Sequence, residues 1–496
     1  MRRSIPIFYS ALLLTFVNLL LRFVGTSFQV YLSGRIGPSG IGLLQLVLSV
    51  GSLAMVAGIA GVRTSAMYLT AEELGKRNPQ NVTWVLSGCF TYSILCSGAV
   101  ALMLYCFAPV LAENWIGDIR TVNALRLMAA FLPITCLCGV MTGYFTAANR
   151  IGTLAAVEVV EQLFSMAVTM TALTLWAGND VGKSCVAVVL GSCSGACLTL
   201  LCLIILRVRE YASAGPRIPI ARRMCQTAVP LALADVLKSG ISTVENLMVP
   251  KRLALNTSVT DPLASFGLVC GMVFPVLMFP ACILFGLAEL LIPELARCAA
   301  AGSQKRIRYL VKRSLKVTMV YGILFSGLMY LLSDVLCLTL YNNLEAGKHL
   351  RLYALLIPML YCDAITDAMI KGLGQQKISV RYNILTSFMD VAFLFILLPK
   401  YGMKGYFFSF LVTHLLNFIL SLLRLLKITN IALPFHIPVL SVSAGLASVW
   451  GSAFLSVPWM QAIVYPILLV CLLYLMQIIH REDIRWMKGL VYKKGH

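Results

Sequence analysis

Apolar residues fill this chain in long runs, and short polar segments interrupt the runs at fairly regular intervals. A run of about 20 residues spans the roughly 30 Å hydrocarbon core of a bilayer as a helix. On that basis the pattern predicts about fourteen transmembrane helices, over residues 8–32, 39–69, 84–112, 122–147, 152–177, 184–206, 226–250, 263–292, 315–341, 350–371, 378–398, 405–426, 438–457 and 459–480. The connections are short, so consecutive helices run antiparallel. The reading is an all-α polytopic membrane protein.

The first run carries a polar stripe. Thr15, Asn18, Arg22, Thr26 and Gln29 recur at steps of three or four residues and so share one helix face. In the run that starts near Ala228, Asp235, Lys238, Ser242 and Glu245 repeat the spacing; Asn18 matches Lys238, and Arg22 matches Ser242, at one sequence offset. An Arg at mid-membrane costs about 2.5–3.5 kcal/mol on insertion scales, so Arg22 faces protein or water, or snorkels to the surface. Two such helices facing each other would line a hydrated cavity. Asn18, Arg22, Gln29, Asp235, Lys238, Ser242 and Glu245, with Arg63 of the second run, are therefore candidate substrate-binding residues.

Composition removes the soluble classes. Hydrophobic residues make up 59% of the 496-residue chain and charged residues 12%, against about 25% charged in average soluble chains. The net charge of +20 would point to nucleic acid in a soluble protein. Here the basic residues cluster in alternate loops, as the positive-inside rule requires, and nucleic acid is not an expected partner. Both termini are expected in the cytoplasm, and the basic flanks could also touch anionic headgroups of membrane lipids. Arg2 and Arg3 followed by an apolar run resemble a signal peptide, but the run is too long, contains Arg22 and lacks a small-residue cleavage site, so it is expected to be retained. The sixteen cysteines are scattered through apolar runs and read as small buried hydrophobes.

A basic, Gly- and Pro-containing loop from Arg207 to Arg223 divides the chain near its middle. The halves on either side look related: Pro133 corresponds to Pro358, and Gly61 before Val62-Arg63 corresponds to Gly286 before Leu287. Six helices per half make the repeat parallel, the arrangement in which a cleft between halves can alternate its opening. The expected organisation is a lobe over 1–215, a second lobe over 216–430, and two added helices with a tail over 431–496.

Further polar residues lie inside the runs. Arg63 and Glu289 occupy nearly corresponding places and could pair as a gate, or each could satisfy its own half. Glu158 and Glu161 share a face, as do Asp363 and Asp367, and Asp390 stands alone. Such carboxylates are candidates for coupling to a proton or sodium ion, or for lining water-filled vestibules. His414 could relay protons or pack by a hydrogen bond. Pro275 and Pro280, with Gly267, Gly271 and Gly286, mark the eighth run as the one best suited to bend. No Walker A loop, Gly-x-Ser-x-Gly elbow or His-Glu-x-x-His helix is present. An enzyme is therefore not expected, nor a bound cofactor or metal. An intramembrane transferase using His414 or an Asp would need larger external loops.

The stretches LSGRIGPSGIGLLQ (Leu32–Gln45), GIAGVRTSAMYLTAE (Gly58–Glu72) and GMVFPVLMFPACILFGLAELLIPELA (Gly271–Ala296) resemble the stage V sporulation protein B and polysaccharide-transporter family. That family belongs to the multidrug/oligosaccharidyl-lipid/polysaccharide (MOP) exporter superfamily. The resemblance implies a MATE-like core of two six-helix lobes, often with two extra helices, in a bacterial plasma membrane. It implies flipping or export of a polyprenyl-pyrophosphate-linked sugar, a cell-wall or spore-cortex precursor, by a protein acting as a monomer. Arg22, Arg63 and Lys238 are the cations that could meet the pyrophosphate. A basic residue common near Phe28-Gln29-Val30 in the family is absent here, where Gln29 stands. The rival on the same fold is a cation-coupled small-molecule antiporter, which Asp235 and Glu245 keep open.

Overall fold

The computed structural model describes residues 4–75, 80–148, 150–178, 180–208, 221–431, 436–455 and 457–478. Among them the regular elements are all helices, as expected where backbone groups must be satisfied within the segment that crosses lipid. In order they are α1 (Ser4–Ile59), α2 (Val62–Gly75), α3 (Asn81–Val110), α4 (Val122–Ala147), α5 (Ile151–Ala172), α6 (Val181–Val208), α7 (Ala221–Leu253), α8 (Pro262–Gly267) and α9 (Phe274–Met278). They continue as α10 (Ala281–Ala300), α11 (Gln304–Tyr341), α12 (Leu344–Ala354), α13 (Ile357–Gly372), α14 (Gln376–Tyr401), α15 (Met403–Thr429), α16 (His436–Ala453) and α17 (Pro458–Leu475).

Two breaks shape the beginning of the chain. α1 runs through the first polar interruption with a kink at Gly37, whose φ of 70° and ψ of 175° leave the helical region, followed by Pro38. The second break corrects the helix expected over 39–69. Ala60 and Gly61 take φ of 43° and 72°, ending α1 and starting α2. The backbone carbonyl of Ala228 on α7 occupies the space that a Cβ at residue 61 would need. A left-handed turn under another backbone is a place for glycine, and apolar periodicity alone gives no sign of it.

The eighth run bends where its prolines predict. A π-helical turn, Leu268–Val273, joins α8 to α9, and the axis then turns by 63° between Met278 and Ala281. Such a bend strips carbonyls of their helical donors. Tyr361 donates to Leu277 O at 2.9 Å and Tyr321 to Pro280 O at 2.7 Å, restoring what the bend removes. A second bend of 57° separates α12 from α13, with Pro358 in the first turn of α13. Pro133 instead lies inside the continuous α4, so the two prolines have different local roles.

By length and composition, nine described helical segments are apolar enough to cross a membrane, and eleven if each bent pair counts as one span. This is short of fourteen for local reasons. The segment Leu19–Leu74 absorbs two expected spans, α7 carries Asp235, Lys238 and Glu245, and α16 has only 18 residues. Outward faces carry exposed apolar side chains such as Leu175, Trp450 and Leu475, a surface suited to lipid.

The chain forms two compact units. The first comprises Met1–Gly271 with Val391–Gly405, and the second Met272–Asp390 with Tyr406–His496. In the first unit a core of Val62, Leu69, Val85, Met141, Phe145 and Leu203 joins α2, α3, α4 and α6. α7 packs on α1 through Thr243, which donates to Ser49 O at 3.1 Å, and Asn246, which donates to Ser49 Oγ at 3.0 Å. α8 meets α1 where Ser39 donates to Asp261 at 2.7 Å. In the turn before α4, hydrogen bonds from the Arg120 side chain and backbone N–H, with its charge, hold the Asp118 carboxyl below its ordinary range. In the second unit α16 and α17 cover α11, and Tyr465 donates to Ile323 O at 2.7 Å within that apolar contact.

Candidate functional site

The first unit holds the polar stripes of α1 and α7. Arg22 is exposed on α1, and Thr26 turns its hydroxyl back to Arg22 O at 2.9 Å. Gln29 donates to Gly271 O at 3.1 Å, in the π-helical turn. It therefore ties α1 to the start of the bent segment. Asn18 lies on α1, but its side chain is outside the described residues.

α5 connects this stripe to α2. Gln162 donates to Leu21 O at 3.0 Å, beside Gly25, whose missing Cβ makes room for the amide. One turn earlier, Glu158 is half-buried and within electrostatic reach of Arg63, which is exposed on α2. Arg22 and Arg63 thus lie on helices that flank one face of α5. Glu161, three residues from Glu158, serves another neighbour: Thr199 of α6 donates to it at 2.7 Å. The two glutamates do not act alike, although their spacing groups them.

On α7, Asp235, Lys238 and Ser242 are exposed. None of them has a hydrogen bond or ion pair among the described residues, so Lys238 is not neutralised by Asp235 one turn away. Glu245 is half-buried. Asp235 and Lys238 therefore present charges that are not spent on packing among the described residues.

Three carboxylates of the second unit, Asp363, Asp367 and Asp390, are bonded. Asp363 on α13 accepts from Asn417 Nδ2 at 3.1 Å on each oxygen. Asp367 pairs with Lys371 at 2.6 Å and accepts from Ser379. Asp390 on α14 is 7% exposed and accepts from Ser409 at 2.5 Å and Thr413 at 3.2 Å. Ser409, Thr413, Asn417 and Ser421 form a buried polar seam along α15 at steps of four, and Asn417 Oδ1 is buried without a hydrogen-bond partner. Glu289 is exposed on α10. His414 lies 4.1 Å from the Phe410 ring, centroid to centroid, in an aromatic cluster with Phe274 and Tyr353. Sequence reading missed Gln162, Asn417, Ser409 and Thr413. Their polar spacing in apolar helices was a signal, but they are uncharged and such residues are cheap to place in helices.

Among the described residues no group of three or more His, Cys, Asp or Glu could hold a metal ion. What the geometry offers is a set of charged, exposed side chains on one bundle and bonded intramembrane acids on another.

These features define a polytopic helical membrane protein. Its fold aligns with a solved structure described as the lipid II flippase MurJ in an inward closed conformation, with a TM-score of 0.72 and 12% identity over 94% of this chain and 98% of that one. A MATE-family multidrug resistance transporter of the MOP superfamily, solved facing inward, aligns with a TM-score of 0.69 and 12% identity over 84% of this chain and 98% of that one. In sequence, the chain is 20% identical over 411 residues to stage V sporulation protein B of Bacillus subtilis, covering 79% of this chain and 78% of that protein. The sequence model of the polysaccharide biosynthesis protein family matches residues 8–254. That match takes in the N-terminal part of the chain, just under half of its length.

Proposed function

We propose that the protein is a flippase for a polyprenyl-pyrophosphate-linked saccharide, a precursor of the bacterial cell wall or spore cortex, working by alternating access in the plasma membrane. The observation that carries this reading is the exposed cationic set on one bundle: Arg22 and Lys238 on helices that pack together, and Arg63 beside the face of α5 that touches α1. A pyrophosphate is a dianion or more at neutral pH, and exposed guanidinium and ammonium groups recognise it by charge-assisted hydrogen bonds. The prenyl chain stays in lipid while the headgroup crosses among polar side chains. The family match and the names of the distant relatives point the same way. Two six-helix lobes over 1–215 and 216–430, with two added helices and both termini in the cytoplasm, remain the proposed frame.

The driving force in this proposal is a coupled proton or sodium ion, membrane potential, or consumption of the product. Asp363, Asp367 and Asp390 are the proposed coupling groups, and Asn417 with its unpartnered buried oxygen joins them. Those acids also support the second reading, a cation-coupled antiporter of small molecules.

The test is flipping of a fluorescent polyprenyl-pyrophosphate sugar in liposomes at matched protein insertion. Arg22→Ala and Lys238→Ala each lose about ten- to a hundredfold in apparent affinity, the value of one charge-assisted hydrogen bond. Arg22→Lys is impaired as well, since an ammonium cannot make the bidentate fork. Wild-type rates in both alanine variants would falsify the cationic site and favour the antiporter.

A further inference from the structure

One end of α11 is densely basic, and two of its lysines are used by neither the packing among the described residues nor the proposed transport site. α11 has 38 residues, about 57 Å at 1.5 Å per residue, and only about 20 of them are needed to cross the hydrocarbon core. Its N-terminal part, from Gln304 to Lys316, contains Lys305, Arg306, Arg308, Lys312, Arg313 and Lys316 and no acid. Ile307, Val311, Ser314 and Leu315 are buried and seat this end on the second unit. The ridge Lys305, Tyr309, Lys312 and Lys316 lies on the other side, at steps of three and four.

Four of the cations are already engaged, Arg313 and Lys316 among them. Arg306 pairs with Glu294 at 2.6 Å, and Arg308 donates to Thr429 O, at the end of α15, at 3.1 Å. Lys305 and Lys312 are exposed and have no hydrogen bond or ion pair among the described residues. Between them Tyr309 is 50% exposed. Its hydroxyl accepts from Arg313 at 3.2 Å, and the guanidinium carbon lies 5.7 Å from the ring centroid. Farther along the helix Val317 is exposed, and Met319, Val320 and Ile323 enter the apolar contact with α16 and α17. A basic stretch with Tyr309 inside it gives way to an apolar one, which follows the passage from headgroup region to hydrocarbon.

We propose that this ridge binds an anionic phospholipid in the leaflet that α11 enters at Gln304. The lipid phosphate sits between the Lys305 and Lys312 ammonium groups, beside Tyr309. Charge complementarity favours a phosphatidylglycerol headgroup over a zwitterionic one. The site is separate from the cations assigned to the transported lipid, which lie on α1, α2 and α7, and it does not depend on which leaflet is cytoplasmic.

Native mass spectrometry of the purified protein, titrated with phosphatidylglycerol, phosphatidylcholine or undecaprenyl pyrophosphate, tests this. The wild type is expected to hold phosphatidylglycerol in preference to phosphatidylcholine. K305Q/K312Q weakens phosphatidylglycerol binding roughly 25-fold, about fivefold per lysine near a membrane surface, and leaves undecaprenyl pyrophosphate binding unchanged. K305R/K312R keeps the phosphatidylglycerol preference, K400Q/K404Q has no effect, and an unchanged melting temperature shows that the glutamine variant is folded. Unchanged phosphatidylglycerol binding in K305Q/K312Q overturns the proposal and leaves the ridge to solvent or an acidic soluble partner. An equal loss of undecaprenyl pyrophosphate binding overturns it too, because the ridge would then belong to the transport path.

Discussion

The cations and acids on α2 and α7 of the first unit and the aspartates of the second unit are treated in opposite ways. In the first, Arg63, Asp235 and Lys238 are exposed, and the half-buried Glu158 lies within electrostatic reach of Arg63. In the second, Asp363, Asp367 and Asp390 each accept hydrogen bonds from side chains on the same or an adjacent helix. A charge exposed inside a membrane protein is expensive unless water or a ligand answers it. A buried carboxylate that already has donors is held by the protein and changes its state only when a proton or cation competes for its oxygens. The first unit is therefore equipped to meet an external anion, and the second to hold a small cation or simply to lock its helices.

The largest effect that can break this contrast is on stability. Asp390→Ala removes the acceptor that the fully buried Ser409 uses at 2.5 Å and Thr413 shares at 3.2 Å. Leaving such a donor without its partner costs about 1–3 kcal/mol. The detergent-solubilised variant should melt several degrees below wild type. Lys238→Ala, on an exposed side chain with no hydrogen bond or ion pair among the described residues, should stay within about 0.5 kcal/mol of wild type. Equal destabilisation by the two substitutions would remove the distinction between the units.

A smaller effect concerns coupling. Asp363→Asn keeps an oxygen for Asn417 Nδ2 but removes the charge that a proton or sodium ion would seek. Flipping should then lose its stimulation by an imposed proton or sodium gradient, while the affinity for the labelled lipid changes by less than about threefold, a fraction of one charge-assisted hydrogen bond. If the gradient drives the variant as it drives wild type, the acids of the second unit are structural and energy enters elsewhere.

The fold was largely legible because hydrophobic run length is a direct consequence of bilayer thickness. The bend in the eighth run was legible for a similar reason, since Pro280 disrupts its own segment wherever the chain goes. Gly61 was not, because its cause is the Ala228 carbonyl on α7, distant in sequence. The two polar stripes were visible from periodicity. What each residue does depended on neighbours that periodicity does not identify: Gln29 serves Gly271, and Glu161 serves Thr199 on α6. The α15 seam was present as Ser409, Thr413, Asn417 and Ser421 at steps of four. It passed unnoticed because serine and threonine in a helix can satisfy themselves on the preceding turn, as Thr413 also does on Ser409 O at 2.9 Å.

The smallest effect tests the exception inside the first unit. Glu158 and Glu161 stand three residues apart on α5, yet only Glu161 has a hydrogen-bonded side-chain partner, Thr199 at 2.7 Å. Glu158 is near Arg63 and competes with any anion that the guanidinium could bind. A partly exposed pair of this kind is worth about 0.2–1 kcal/mol. Glu158→Gln should accordingly tighten binding of a polyprenyl pyrophosphate by a factor of up to about five, measured by titration in nanodiscs. Glu161→Gln, whose amide oxygen can still accept from Thr199, should leave the affinity unchanged. Weaker binding in Glu158→Gln would mean that the carboxylate orients Arg63 toward the ligand. The first unit would then contain an acid held for a purpose, as the second does, and the contrast between them would narrow to Lys238 and Asp235 on α7.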